Sequence, residues 1–147
     1  MGTFISNSPE STLAFGESWA ARAKPGWVIA LRGDLGAGKT QWVKGFARGL
    51  GFAGRVASPT FALIQSYAGG RHPLFHLDLY RLASETEIVA AGLDEFLFNP
   101  PGIAVVEWPE RWLGGSAQGE LPASWRRFCF KQTGERDRLI TYEDPEP

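Results

Sequence analysis

Eight consecutive residues, Gly33-Asp34-Leu35-Gly36-Ala37-Gly38-Lys39-Thr40, carry the most legible chemistry in this chain. They match the pattern GxxxxGK[ST] at every defined position, and the glycines let successive backbone N–H groups point into one concave nest for phosphate. Lys39 is placed to bridge the terminal phosphates of a nucleoside triphosphate, and the Thr40 hydroxyl to ligate Mg²⁺. The run Trp27 to Leu31 before the octet reads as a buried strand, and Gln41 to Leu50 after it as a helix that stops at Gly51. A helix N-terminus adds a dipole that favours an anion. Strand, glycine loop and helix together predict a site for a nucleoside triphosphate.

Hydrolysis or transfer also needs acids near the metal. Gly102 to Glu107 is an apolar strand ending in a carboxylate, the form expected of an acid that reaches Mg²⁺ directly or through water. A glutamate stands where aspartate is more usual, and a surface glutamate at a strand end is the competing reading. The segment His76-Leu77-Asp78-Leu79-Tyr80-Arg81 alternates polar and apolar residues. In an extended chain His76, Asp78 and Tyr80 face one way while Leu77 and Leu79 enter the core. Two readings of Asp78 fit that pattern: a carboxylate at the metal or the attacking water, or a residue of a half-exposed strand. His76 reads as a hydrogen-bonded strand histidine. Ser58-Pro59-Thr60 follows the glycine-loop helix, and Thr60 either senses the terminal phosphate or belongs to a simple proline turn. Two histidines and one cysteine argue against a zinc site.

The elements that must position these groups follow from local signals. Thr3 to Ser6 is a short edge strand. Ser8 is a helix N-cap with Pro9 at the first helical position, and the helix runs to about Lys24 before Pro25-Gly26 ends it. Ala62 to Tyr67 and Leu74 to Asp78 are strands joined by a turn at Gly69-Gly70. Ser84-x-x-Glu87 is a capping box for a short helix that stops at Gly92. Arg126 to Gln132 and Arg138 to Tyr142 form a hairpin, 112–124 is a loop, and 143–147 is a flexible tail. Cys129 lies in the first of those strands as an ordinary residue.

The bulk numbers set bounds. A chain of 147 residues with 44% hydrophobic and 21% charged residues forms one domain with a sizeable core. A net charge of −1 gives no global pull on DNA or RNA, so RNA contact needs a local patch or a partner protein. One cysteine and the lack of a signal-peptide pattern fit a reducing cytoplasm, and no apolar stretch is long enough for a membrane span.

Four stretches taken in order, the octet 33–40, Ser58-Pro59-Thr60-Phe61, His76 to Arg81 and Glu107-Trp108-Pro109-Glu110, closely resemble the TsaE (YjeE) family. The resemblance runs from about Ser8 to Arg138. It implies a single-domain α/β P-loop NTPase over residues 1–142, with a mixed central β-sheet flanked by helices. The family comprises small bacterial ATPases required to make N6-threonylcarbamoyladenosine at position 37 of tRNAs that read codons beginning with adenine. Carried over residue by residue, Mg²⁺ is held through Thr40 and Glu107, Asp78 serves ATP hydrolysis, and Trp108 lies beside the nucleotide. Pro9 and Arg136 flank the adenine by position. The implied partner is the TsaB–TsaD heterodimer, which activates the ATPase and through which tRNA is met indirectly. The stretch 114–119 departs from the family pattern. A small-molecule or nucleotide kinase shares the glycine loop, but it needs an acceptor pocket and an arginine-bearing lid, and here the arginines are scattered. A nucleotide-controlled binding module is the third reading.

Overall fold

The structure is a computed structural model that describes residues 1–34, 36–59, 62–112 and 121–145. Its centre is a mixed sheet of seven strands among the described residues: β1 (Gly2–Ser6), β2 (Val28–Gly33), β3 (Ile64–Tyr67), β4 (Leu74–Asp78), β5 (Ile103–Glu107), β6 (Arg126–Gln132) and β7 (Arg138–Glu143). They lie in the order β1-β7-β6-β2-β5-β4-β3. The inner four run parallel, and β3, β7 and β1 add antiparallel pairings on the two sides. Strands buried on both faces need near-continuous apolar sequence. Ile103-Ala104-Val105-Val106 meets that need, and every residue of β5 is buried.

Alternate residues of β2 divide between two cores. Ile29 and Leu31 pack with Phe15, Trp19, Trp42 and Phe46 of α1 (Pro9–Ala20) and α2 (Lys39–Gly49). Val28 and Ala30 pack on the other face with Ile88 of α3 (Glu85–Ala90) and Leu97 of α4 (Glu95–Phe98). The helices α1 and α2 touch backbone to backbone. A Cβ on Gly45 would stand 1.8 Å from the Leu13 carbonyl oxygen, and one on Gly16 2.1 Å from that of Trp42.

The caps read from sequence are in place. Ser8 Oγ accepts from the Ser11 N–H at 3.0 Å, and Ser84 Oγ from the Glu87 N–H at 3.3 Å. Three of the boundaries that differ from the sequence expectation have a visible cause. Helix α1 ends at Ala20, not near Lys24, because the Arg22 and Ala23 N–H groups bond three residues back as the chain tightens toward Pro25. Strand β3 starts at Ile64 because Leu63 takes a left-handed φ of 67° that breaks the extended run from Ala62. The tail expected from Glu143 is ordered further along: β7 includes Glu143, and Asp144 pairs with Arg22 and, at 3.2 Å, with Arg126 Nε. Helix α4 and a 3-10 turn at Pro109–Arg111 carried no sequence signal strong enough to foresee. Cys129 is exposed on the outer side of β6. Among the described residues no helix is long and apolar enough to cross a membrane.

Candidate functional site

The C-terminal ends of β2, β5 and β4 converge on one cavity of about 680 Å³. Strand β2 delivers the glycine loop, which turns directly into α2. Gly38 makes that turn with φ of 103°, a left-handed conformation that disfavours a side chain, and its carbonyl accepts the Trp42 N–H at 3.0 Å. Lys39 is the first residue of α2 and Thr40 the second, so both stand at the helix mouth. Lys39 is almost wholly buried, at 5% exposure. Its Nζ donates to the Gly33 carbonyl at 2.5 Å, lies 4.3 Å from the Trp108 ring centroid and stands 4.0 Å from Glu107 Oε1. An anion entering the loop would compete with that carbonyl for the ammonium.

The acids arrive by strand register. β5 pairs with both β2 and β4, which sets Leu31 and Asp78 on either side of Glu107. Both carboxylates are buried, so the half-exposed-strand reading does not describe Asp78. Like charges directly opposite each other on neighbouring strands are unfavourable, and a cation offsets the repulsion. Lys39 supplies one such charge. The Thr40 hydroxyl and the two carboxylates are hard oxygen donors of the kind Mg²⁺ takes, so this donor set fits that ion. Among the described residues no group of three His, Cys, Asp or Glu side chains could hold a metal ion. A Mg²⁺ held here would draw on few protein oxygens.

Immediately after Glu107 the chain kinks. Trp108 has φ of 58°, which turns its ring over Lys39 and to 4.9 Å from Tyr80. Asp78 Oδ1 accepts the Tyr80 N–H at 2.9 Å, fixing the turn that leaves β4.

Of the residues singled out from sequence, Gly36, Gly38, Lys39, Thr40, Asp78, Glu107 and Trp108 line this cavity. Pro9 and Arg136 line an adjoining pocket of about 210 Å³. Gly38 and Gln41 border both spaces, so the two lie side by side. Gly33 meets the site through its carbonyl, while Asp34 is exposed and accepts the Ala37 N–H at 3.0 Å. Leu35 and Thr60 lie outside the described residues, as does the loop stretch 114–119. Sequence reasoning missed Gln41, Lys44 and Ser58, which also line the main cavity. Spacing could have found the first two, since Gln41 follows Thr40 and Lys44 lies one helical turn on. It also missed Arg138, whose Nη2 donates to the Gly36 carbonyl at 3.0 Å and so ties β7 to the glycine loop.

With the geometry in view, comparison with known proteins is decisive about kinship. The profile of the family described as "Threonylcarbamoyl adenosine biosynthesis protein TsaE" matches residues 6–140. The chain belongs to the TsaE family. A Bacillus subtilis relative named tRNA threonylcarbamoyladenosine biosynthesis protein TsaE is 44% identical over 135 residues, covering 92% of this chain and 80% of its own. A Treponema pallidum protein of the same name is 41% identical over 137 residues, covering 93% and 96%. The crystal structure of Bacillus subtilis YdiB superposes with a TM-score of 0.75 at 39% identity, covering 96% of this chain and 83% of that one. TsaE membership accords with the mixed α/β sheet and flanking helices, and it gives the chain a part in threonylcarbamoyladenosine biosynthesis.

Proposed function

We propose that this TsaE-family chain is a Mg²⁺-dependent ATPase that acts with the TsaB–TsaD heterodimer in the threonylcarbamoylation of tRNA adenosine 37 in the cytoplasm. The observation that carries this reading is the convergence of Lys39, Thr40, Asp78 and Glu107 on the one cavity at the glycine-loop mouth. The backbone of the loop and the Lys39 ammonium take up phosphate charge. Thr40 and Glu107 would hold Mg²⁺, which when bound would supply charge neutralisation for the phosphates. Asp78 orients the attacking water. Trp108 and Tyr80 cover the phosphate end of the cavity and limit bulk solvent there. The adjoining pocket of Pro9 and Arg136 receives the base, with Gln41 between base and phosphates. Contact with tRNA comes through the partner complex, in keeping with the net charge of −1.

Calorimetric titration with ATP tests the site. Lys39→Ala is expected to weaken binding by about 2–4 kcal/mol, the range for removing one member of a buried charge pair. Unchanged affinity would remove the loop from consideration as the nucleotide site. Phosphate release into solution is the expected product, whereas phosphate found on a small acceptor would establish a kinase.

A further inference from the structure

Glu107 is held from behind by a group to which the scheme above gives no task. His76 lies two residues before Asp78 on β4 and pairs in register with Val105, two residues before Glu107 on β5. Residues two apart on a strand share a face, so His76, Asp78, Val105 and Glu107 all stand on the side of the sheet that carries α2. His76 and Glu107 are therefore diagonal neighbours, a separation that long and aromatic side chains can span. They do span it: His76 Nε2 lies 2.6 Å from Glu107 Oε2. A carboxylate can only accept, so the imidazole N–H donates. His76 is fully buried, and its Nδ1 has no hydrogen-bond partner. The ring thus makes one side-chain hydrogen bond, and it makes it to the carboxylate at the mouth of the glycine loop. An aliphatic residue on this strand would pack without leaving a buried nitrogen unsatisfied. The cost of that nitrogen finds its return in what the other one does.

With Oε2 occupied by His76, the other oxygen of Glu107, Oε1, is the one that stands toward Lys39. We propose that His76 is a positioning residue for the metal: it fixes the Glu107 carboxylate so that Oε1 is presented to Mg²⁺ in one orientation. The inference rests on the reading of Glu107 as a Mg²⁺-facing acid and adds the residue that orients it. Hydrogen-bonded partners behind a metal ligand set its direction and its basicity.

ATP affinity measured by calorimetry in Mg²⁺ and in EDTA, alongside melting temperature, tests this in the wild type, His76→Leu and His76→Gln. His76→Leu keeps bulk and removes the donor, and it should lose about 10–100-fold of the affinity gained from Mg²⁺ while EDTA affinity stays close to wild type. His76→Gln places an amide N–H near the position of Nε2 and should recover most of the gain. A purely structural role predicts equal losses in both buffers, a lowered melting temperature and no recovery in His76→Gln, and that pattern overturns the inference. So does a His76→Leu protein with the full Mg²⁺ gain. Should His76→Leu not fold, His76→Asn, whose amide falls short of Glu107, takes its place against His76→Gln. A wild type whose affinity does not respond to Mg²⁺ would sink the metal assignment itself, a failure distinct from a Mg²⁺-responsive wild type matched by its His76 variants.

Discussion

Asp78 ends β4 with its carboxylate buried beside Glu107 and one oxygen already bonded to the Tyr80 N–H. That bond holds the side chain in a single direction at the cavity wall. A residue acting on the attacking water contributes mainly in the transition state, so its removal spares ground-state binding. Asp78→Ala is therefore expected to bind ATP with nearly wild-type affinity and to hydrolyse about 10²–10⁴-fold more slowly in the partner complex. Calorimetry and single-turnover phosphate release measure the two halves of that statement. Parallel loss of binding and melting temperature would show Asp78 to be a structural residue.

Elements hold these residues by close packing at particular points. The α1–α2 crossing sets where the mouth of α2, and hence Lys39 and Thr40, stands relative to β2. Gly45→Ala puts a methyl group against the Leu13 carbonyl, a backbone atom that cannot swing aside. Overpacking of this kind costs about 1–3 kcal/mol or more, and each kcal/mol lowers the melting temperature by about 2–4 °C in a domain of this size. Thermal denaturation of Gly45→Ala should show that drop, and an unchanged melting temperature would mean the helices can separate freely. Strand β3 positions a second segment. The Tyr67 hydroxyl donates to the Ala57 carbonyl at 3.3 Å, and Ala57 adjoins Ser58 at the cavity wall. Burial raises the Tyr67 phenol above the ordinary value of 10.0, and the Ala57 N–H, which donates to the phenolic oxygen at 3.4 Å, opposes that shift. The folded state then holds the phenolic proton more tightly than the unfolded chain does. The stability this contributes is intact below pH 10.0 and is lost as pH rises through the higher folded value. Melting temperature should fall above that pH, and fall less steeply in Tyr67→Phe, which has no proton to lose. Identical slopes in the two proteins would contradict the assignment.

Across the whole molecule, the two cores lock a sheet whose four parallel inner strands end on one edge, where ligands of open α/β sheets bind. Lys39 there rests on the Gly33 carbonyl and the Trp108 ring, contacts that the proposed phosphate ligand would have to displace. In the proposed complex, a partner that completed the cavity wall would shift that competition. Steady-state phosphate release by the isolated chain is expected to be slow and to rise on addition of the TsaB–TsaD heterodimer. Groups supplied in trans at phosphoryl-transfer sites are worth about 10³–10⁵-fold, which bounds the rise. Vigorous hydrolysis by the chain alone, with no response to the heterodimer, would remove the partner from the proposed mechanism.

Local patterns revealed the octet 33–40, the caps at Ser8 and Ser84, the strand ending in Glu107 and the alternation of Leu77 and Leu79 into the core. Each depends on residues within a few positions of one another, where helix and strand periodicity and capping chemistry act. What the sequence could not disclose depends on pairing across long separations. The register of β4 on β5 sets Asp78 beside Glu107 and brings His76 to its Oε2. A slip of β4 by one residue would have turned Asp78 and His76 to the face opposite Glu107. Arg138 reaches Gly36 across a separation of 102 residues, and only the order β7-β6-β2 brings those loops together. The chemistry was written in short words, and the sheet decided which of them stand side by side.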